Sequence, residues 1–275
     1  MPFSRFCDSS HCMDIIVCIK RVPDTAANVE IDASGLEIKK DVPWVMNPYD
    51  EFAVEEALRI KEQFGGKVTL LHAGAEGGEE ILKKGLAMGA DEAVYVKDQS
   101  LAATDNMAFA KVLSAVIKAK PFDVILCGRM GTDTASGLLG GALAALLKIP
   151  CVPAIKKLTI FPHGPLKMAS AAREIEGGME TVQCPLPALF TAHKGLNEPR
   201  YPSLSGIMRS KKQEIKYITP ASTAVAKDIA PDAAGLKRES LSYPTSSRKS
   251  AILKGDASAQ AKEAIKFLRD EVKII

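Results

Sequence analysis

Aromatic side chains are scarce, at 5% of 275 residues, too few for the stacking platform of a single-stranded nucleic-acid binder. Neither sign of charge dominates. Lys and Arg total 36 against 33 Asp and Glu, a net charge of +3; that excess does not mark a nucleic-acid binder, but it admits an acidic ligand or partner. Long hydrophobic runs are missing: the longest apolar stretch, Leu138 to Leu147, is about half of the ~20 residues a membrane span needs. None of the six cysteines (Cys7, Cys12, Cys18, Cys127, Cys151 and Cys184) forms a C-x-x-C pair, so neither a disulfide framework nor a zinc site is expected. Cys18 and Cys127 lie inside apolar runs and read as small buried hydrophobes. His11, His72, His163 and His193 lack ligand-like spacing. Residues 1–12 have no apolar core of a secretory signal and are expected to be a disordered extension. These absences point to a soluble, intracellular protein.

The fingerprints of common nucleotide enzymes and hydrolases are also missing. No G-x-G-x-x-G follows a strand, and there is no G-x-x-x-x-G-K-[ST], H-E-x-x-H or G-x-S-x-G. That argues against a nicotinamide-binding Rossmann site, a P-loop, a zinc protease and an α/β-hydrolase.

What is present is alternation. Asp14–Ile19 is a continuous apolar run of the kind buried on both faces of a sheet. A hairpin is expected over Val29–Ile31 and Leu36–Ile38. Asn47-Pro48, with Asp50 and Glu51 after it, predicts a helix running to about Gln63 and stopping at Gly65-Gly66, with Asn47 as its N-cap. Strand-like runs follow at 68–71, 93–96 and 122–127, interleaved with helical patterns at 79–88, 105–118 and 138–147. Such alternation predicts βαβ units, a parallel sheet and helices on both of its faces. Beyond Pro150 the short runs 155–160, 166–173, 180–184 and 188–191, with turn signals at 162–165 and 177–178, suggest antiparallel additions at the sheet's edge. The stretch from Asn197 to about Lys254 shows little periodicity and is expected to take its order from a partner, whereas 258–272 regains helical character. The expected division is therefore 1–12, an α/β domain over 13–195, and a recognition loop and C-terminal arm over 196–275.

The informative loop is Gly128-Arg-Met-Gly-Thr-Asp-Thr-Ala-Ser-Gly137, set between an apolar strand and a helix. Its glycines let a ligand approach the backbone, and a helix start attracts phosphate. Asp133 can accept from a ribose or cap the helix. A plain tight turn with an N-cap accounts for the same residues without a ligand. Asn47-Pro-Tyr-Asp50 and Ala73-Gly74 also fall at helix starts or strand ends, so the three segments can line one crevice. His72 ends a strand, where ligands of open α/β sheets bind. Further along, Tyr201, Leu204, Ile207 and Met208 stand among charges and turn residues, which reads as a binding surface.

Several of these segments resemble the electron transfer flavoprotein beta subunit: 13–22 (MDIIVCIKRV), 47–57 (NPYDEFAVEEA), 87–91 (AMGAD), 173–178 (REIEGG), and above all 197–204 (NEPRYPSL) with 206–212 (GIMRSKK). The match runs from about residue 13 to the end in one register. The resemblance implies an adenine-nucleotide-hydrolase-like, Rossmann-like α/β fold and a non-catalytic carrier subunit. It implies a heterodimer with an alpha subunit that holds the redox-active FAD, taking electrons from acyl-CoA-type dehydrogenases to a quinone oxidoreductase. In the common branch the beta subunit holds a structural AMP. The positions that match its contacts are Cys18, Asn47, Pro48, Tyr49, Asp50, Ala73 and the run Gly131, Thr132, Asp133, Thr134, Ala135, Ser136, Gly137, Leu138, Leu139, Gly140, Gly141 and Ala142. Leu204 matches the anchor of a dehydrogenase-docking loop, and Glu174 a carboxylate facing the alpha subunit's flavin domain. The loop departs from many members at Met130, where they carry Gln, and at Thr134-Ala135-Ser136, where acidic residues are usual. The alternative is the bifurcating branch, which uses NADH and binds a second FAD where others hold AMP.

Overall fold

The computed structural model describes residues 12–103, 105–161, 167–219, 235–244 and 252–274. The expected extension at 1–12, apart from Cys12, and the turn at 162–165 lie outside the described residues.

β1 (Met13–Cys18) shows why a sheet forms here. Its alternate side chains point to opposite faces, and both faces are covered. Met13, Ile15 and Val17 pack with α1 (Pro48–Phe64) and α2 (Gly78–Met88). Ile16 and Cys18 pack with α3 (Asn106–Lys118) and α4 (Leu138–Leu147). A strand covered on both sides has no polar face, hence the unbroken apolar run. β4 (Gly66–Gly74), β5 (Glu92–Lys97) and β6 (Val124–Gly128) are built alike, and β4 and β6 flank β1 in parallel. Between β1 and α1, β2 (Arg21–Pro23) and β3 (Trp44–Met46) form a separate antiparallel ribbon.

Past α4 come β7 (Cys151–Phe161), β8 (Met168–Ile175), β9 (Gly178–Pro185), β10 (Ala188–Ala192), α5 (Leu204–Lys212) and β11 (Ile215–Ile218). One nine-stranded sheet results, in the order β11-β5-β4-β1-β6-β10-β7-β8-β9. The α/β class, the parallel centre and the antiparallel β7–β8–β9 extension agree with the sequence pattern.

Three expectations are corrected. β10 is not an edge addition: it lies between β6 and β7, parallel to both, and all its residues are buried. Its run ALFTA has the two-sided apolar character of a central strand. The hairpin over 29–38 shrinks to one bridge, Ile31 to Ile38, because Asp32 turns the chain locally, its Oδ1 accepting from Ser34 N at 3.0 Å. The segment after Asn197 also carries order of its own. Ser203 caps α5 by accepting from Gly206 N at 3.0 Å. Gly206 meets α2 so closely that a Cβ would fall 2.2 Å from the Ala87 carbonyl oxygen. β11 then extends the sheet in parallel beside β5.

Contacts divide the chain into two compact units, Met1–Glu239 and Ser240–Ile275. The second contains α6 (Ala257–Phe267), capped by Asp256 and continued by a π-type turn over Leu268–Val272.

Candidate ligand crevice

Chain order places the crevice. From β1 the sheet grows to one side through β4 and β5, and the chain then crosses to put β6 on β1's other side. The gap between the carboxyl ends of β1 and β6 is thus a topological switch point, where open α/β sheets bind ligands. Cys18 and Cys127 are register partners there, and an open crevice of about 430 Å³, counted out to its mouth, lies over them.

Asp50 fastens its floor. This buried carboxylate accepts from Lys20 N at 2.6 Å and Gly128 N at 2.9 Å, tying the ends of β1 and β6 to the start of α1. Asn47 Nδ2 donates to Asp50 Oδ1 and to the Met130 carbonyl, both at 3.0 Å, while Asn47 Oδ1 accepts from Thr132 N at 3.2 Å. Asn47 does sit at the N-cap position of α1, but its side chain makes no capping bond; it is committed to the 129–137 loop instead. Gly128 is required at this junction: a Cβ would lie 2.3 Å from Asp50 Oδ1 and 2.7 Å from Tyr49 Cβ. Burial pushes the Asp50 carboxyl up to about 7, against the hydrogen bonds from Asn47, Lys20 and Gly128. Burial, with Asp50 adding to it, pushes the Cys18 thiol up to about 12, and burial raises Cys127 as well. Both are protonated thiols that shape a floor. Among the described residues no cluster of His, Cys, Asp or Glu suits a metal.

The loop wall supplies donors. Gly137 enters α4 in the left-handed region, at φ 59°, and α4 has no side-chain cap, so its first N–H groups keep their donor capacity. Asp133, a candidate ribose acceptor or cap, is paired with Lys20 at 2.7 Å. Ser136 Oγ accepts from Asn106 Nδ2 at 2.7 Å. Thr132 Oγ1 is buried and has no hydrogen-bond partner. At the mouth, Arg129 Nη1 meets His193 Nε2 at 2.8 Å, and Tyr49 packs edge-on against that imidazole.

Of the sequence candidates, Cys18, Asn47 and Asp50 line the crevice from below, and Gly131, Thr134, Ser136, Gly137, Leu138 and Leu139 line it from the loop and α4. Pro48, Tyr49, Thr132, Asp133 and Ala135 lie in the same segments without lining it. Ala73, at the end of β4, packs against the α3–α4 core. In α4, Gly140 faces β10, where a Cβ would meet Thr191 Cγ2 at 2.5 Å, Gly141 faces open space, and Ala142 lies in the following turn. His72 is a core residue: Nδ1 meets the Ile19 carbonyl at 3.0 Å, the ring packs on Tyr95, and burial lowers its pKa to about 4. Sequence reasoning missed Lys20, Asn106 and Arg129, which also line the crevice. Away from it, Tyr201, Leu204, Ile207 and Met208 are exposed on α5 and the loop before it. Glu174, on β8, pairs with Lys156.

The fold and crevice define an α/β protein with an open crevice at the switch point of its parallel strands. Residues 36–223 match the family model described as electron transfer flavoprotein domain. The chain is 37% identical over 264 residues to an electron transfer flavoprotein subunit beta of Bacillus subtilis, covering 96% of this chain and 100% of that one. A subunit beta of Thermoanaerobacterium thermosaccharolyticum is 38% identical over 259 residues, covering 93% and 96%. The caffeyl-CoA reductase-Etf complex subunit CarD of Acetobacterium woodii is 39% identical over 206 residues, covering 74% and 77%. The chain belongs to the electron transfer flavoprotein beta-subunit family, and its role is in electron transport. No helix of the described residues is long and apolar enough to cross a membrane.

Proposed function

We propose that this chain is the beta subunit of a heterodimeric electron transfer flavoprotein and holds an adenine nucleotide, AMP, in the β1–β6 crevice as a structural ligand. The alpha subunit holds the FAD that carries electrons from acyl-CoA-type dehydrogenases to a quinone oxidoreductase. Within this reading the beta subunit performs no chemistry; it supplies a rigid frame and a docking surface at Tyr201, Leu204, Ile207 and Met208, with Glu174 facing the partner.

The observation that carries the reading is the uncapped start of α4 in the crevice wall. Backbone N–H groups at a helix start suit a phosphate, and the helix dipole favours its charge. The residues fit such a group: Gly131, Gly137, Leu138 and Leu139 line the crevice, and no side chain caps the N–H groups of that helix start. Asp50 and Asn47 hold the loop in shape from beneath. The similarity to CarD keeps a second FAD in this crevice as the other outcome of one measurement. The chain is co-expressed with its alpha subunit, and flavin and AMP are quantified in the purified heterodimer. One FAD with one AMP supports the carrier reading, two FAD convert it to the bifurcating one, and one FAD without AMP overturns the nucleotide site.

A further inference from the structure

Charge around the crevice is unevenly compensated. Lys20 is neutralised by Asp133, at 2.7 Å. Asp50 is spent on the floor, where Lys20 N, Gly128 N and Asn47 Nδ2 donate to it. Arg129 also lines the crevice, and among the described residues it forms no ion pair with a carboxylate. Its one side-chain partner is the imidazole of His193, whose Nε2 lies 2.8 Å from Nη1. A guanidinium always donates, so Nε2 accepts and His193 is neutral in this arrangement. His193 is itself held in place, with Nδ1 3.2 Å from the Lys194 carbonyl and Tyr49 against the ring. Arg129 and the uncapped start of α4 thus line the same crevice.

We propose that Arg129 is the charge that selects an anionic, phosphate-bearing ligand for this crevice, and that His193 is its positioning residue. The inference rests on the nucleotide-site reading and deepens it: the backbone donors of the loop serve any oxygen, whereas an uncompensated guanidinium rewards a net negative one. It also ties ligand affinity to pH. Burial and the neighbouring Arg129 lower the affinity of His193 for a proton, as does Lys156, while Glu174 raises it. Once His193 is protonated it no longer accepts from Arg129, and the guanidinium is released from the position that this bond gives it. Affinity therefore falls as the pH drops below the ordinary imidazole range, near 6.5.

The test titrates AMP, adenosine and FAD into the heterodimer freed of nucleotide, comparing wild type with Arg129→Gln, Arg129→Lys and His193→Gln. Arg129→Gln is expected to weaken AMP about ten- to a hundredfold, the size of a lost charge-assisted bond, and to leave adenosine unchanged. Arg129→Lys recovers most of the AMP affinity. His193→Gln keeps an acceptor at every pH, so its AMP affinity loses less between pH 7.5 and 5.5 than that of wild type. The ligand phosphate also titrates near 6, and comparison at equal pH cancels that contribution. Equal AMP affinity in wild type and Arg129→Gln overturns this assignment alone. A parallel loss of adenosine affinity overturns it too, since it would show a collapsed loop. Wild type that takes up neither AMP nor FAD overturns the nucleotide site, and the selectivity with it.

Discussion

Asp50 is 3% exposed, and its two oxygens serve three donors from three separate stretches of the chain. That arrangement decides how stability responds to pH. In the unfolded chain this carboxyl releases its proton near 3.8; in the folded chain burial delays release to about 7. Between those values the folded state holds a proton that the unfolded state has lost. The contribution is thus fully present below 3.8 and is lost as the pH rises through about 7. At ~1.4 kcal/mol per unit, the loss is on the order of 4 kcal/mol. His72 works in the opposite sense: held neutral by burial, with its pKa lowered from 6.5 to about 4, it adds stability as the pH rises through that interval. The informative quantity is therefore the difference between wild type and Asp50→Asn in urea unfolding at pH 5 and pH 8. Wild type is expected to lose stability relative to the variant over this range, and parallel profiles would show that Asp50 stays ionised throughout.

The same scale shows what the sequence left hidden. NPYD at 47–50 reads correctly as a helix start, since Pro at N1 and acids in the first turn are local signals. What Asn47 and Asp50 bind is not local. Their partners include Gly128, Met130 and Thr132, some eighty residues away, and no spacing rule reports a contact across that separation. Lys20 and Arg129 were invisible for the same reason: each is an ordinary surface cation until the sheet order brings Asp133 and His193 beside it.

Among elements, the segment 197–203 and helix α1 form the joint that seats α5. Asn197 Nδ2 donates to the Phe52 carbonyl at 3.0 Å and to Glu56 at 2.9 Å. Arg200 spans Glu55 and Glu62, with Nε 2.8 Å from Glu55 Oε2. Glu55 is buried. Burial alone would push its carboxyl up, yet the hydrogen bonds from Arg200 and Arg59 hold it below the ordinary range. Its contribution is present above the unfolded carboxyl range and lost as the pH falls through the lowered folded value. Arg200→Ala leaves that carboxylate buried with Arg59 as its remaining cation and is expected to cost about 2–3 kcal/mol in denaturant unfolding at pH 7. A change below about 0.5 kcal/mol would class the pair with ordinary surface ion pairs. The expectation that this stretch takes its order from a partner is corrected over 197–218, which is held by α1, α2 and β5 of the same chain rather than by a periodicity of its own. α5 has nine residues, of which Gly206 and Ser210 are the buried ones. A small-residue contact of that kind leaves no hydrophobic stripe to read. β10 was misplaced for a related reason. Its five residues follow a series of short strand-like runs and turn signals that suggest an edge, while its own apolar run indicates the centre.

At the scale of the molecule, the two units differ in how they hold together. The first has two apolar cores, one on each face of the sheet. The second centres on α6, none of whose residues is buried, and Ile265, Phe267, Val272 and Ile274 are exposed in and after it. A helix of eleven residues is marginal in water without a packed face, because nucleation is costly and each added turn contributes little. Its cap, Asp256 accepting from Ala259 N at 2.8 Å, contributes about 1 kcal/mol, which does not replace a core. In the heterodimer reading, this face is covered by the alpha subunit. Hydrogen exchange separates the possibilities. In the isolated chain the amides of 257–267 should exchange within seconds to minutes, while those of β1 and β6 persist as the sheet core does. In the heterodimer α6 should slow by about a hundredfold or more, the ~3 kcal/mol or more expected when an apolar helix face is buried. Equal exchange in the two states would mean that the alpha subunit does not order α6, and the expectation that the C-terminal arm over 196–275 is ordered by a partner would have to be given up for this helix.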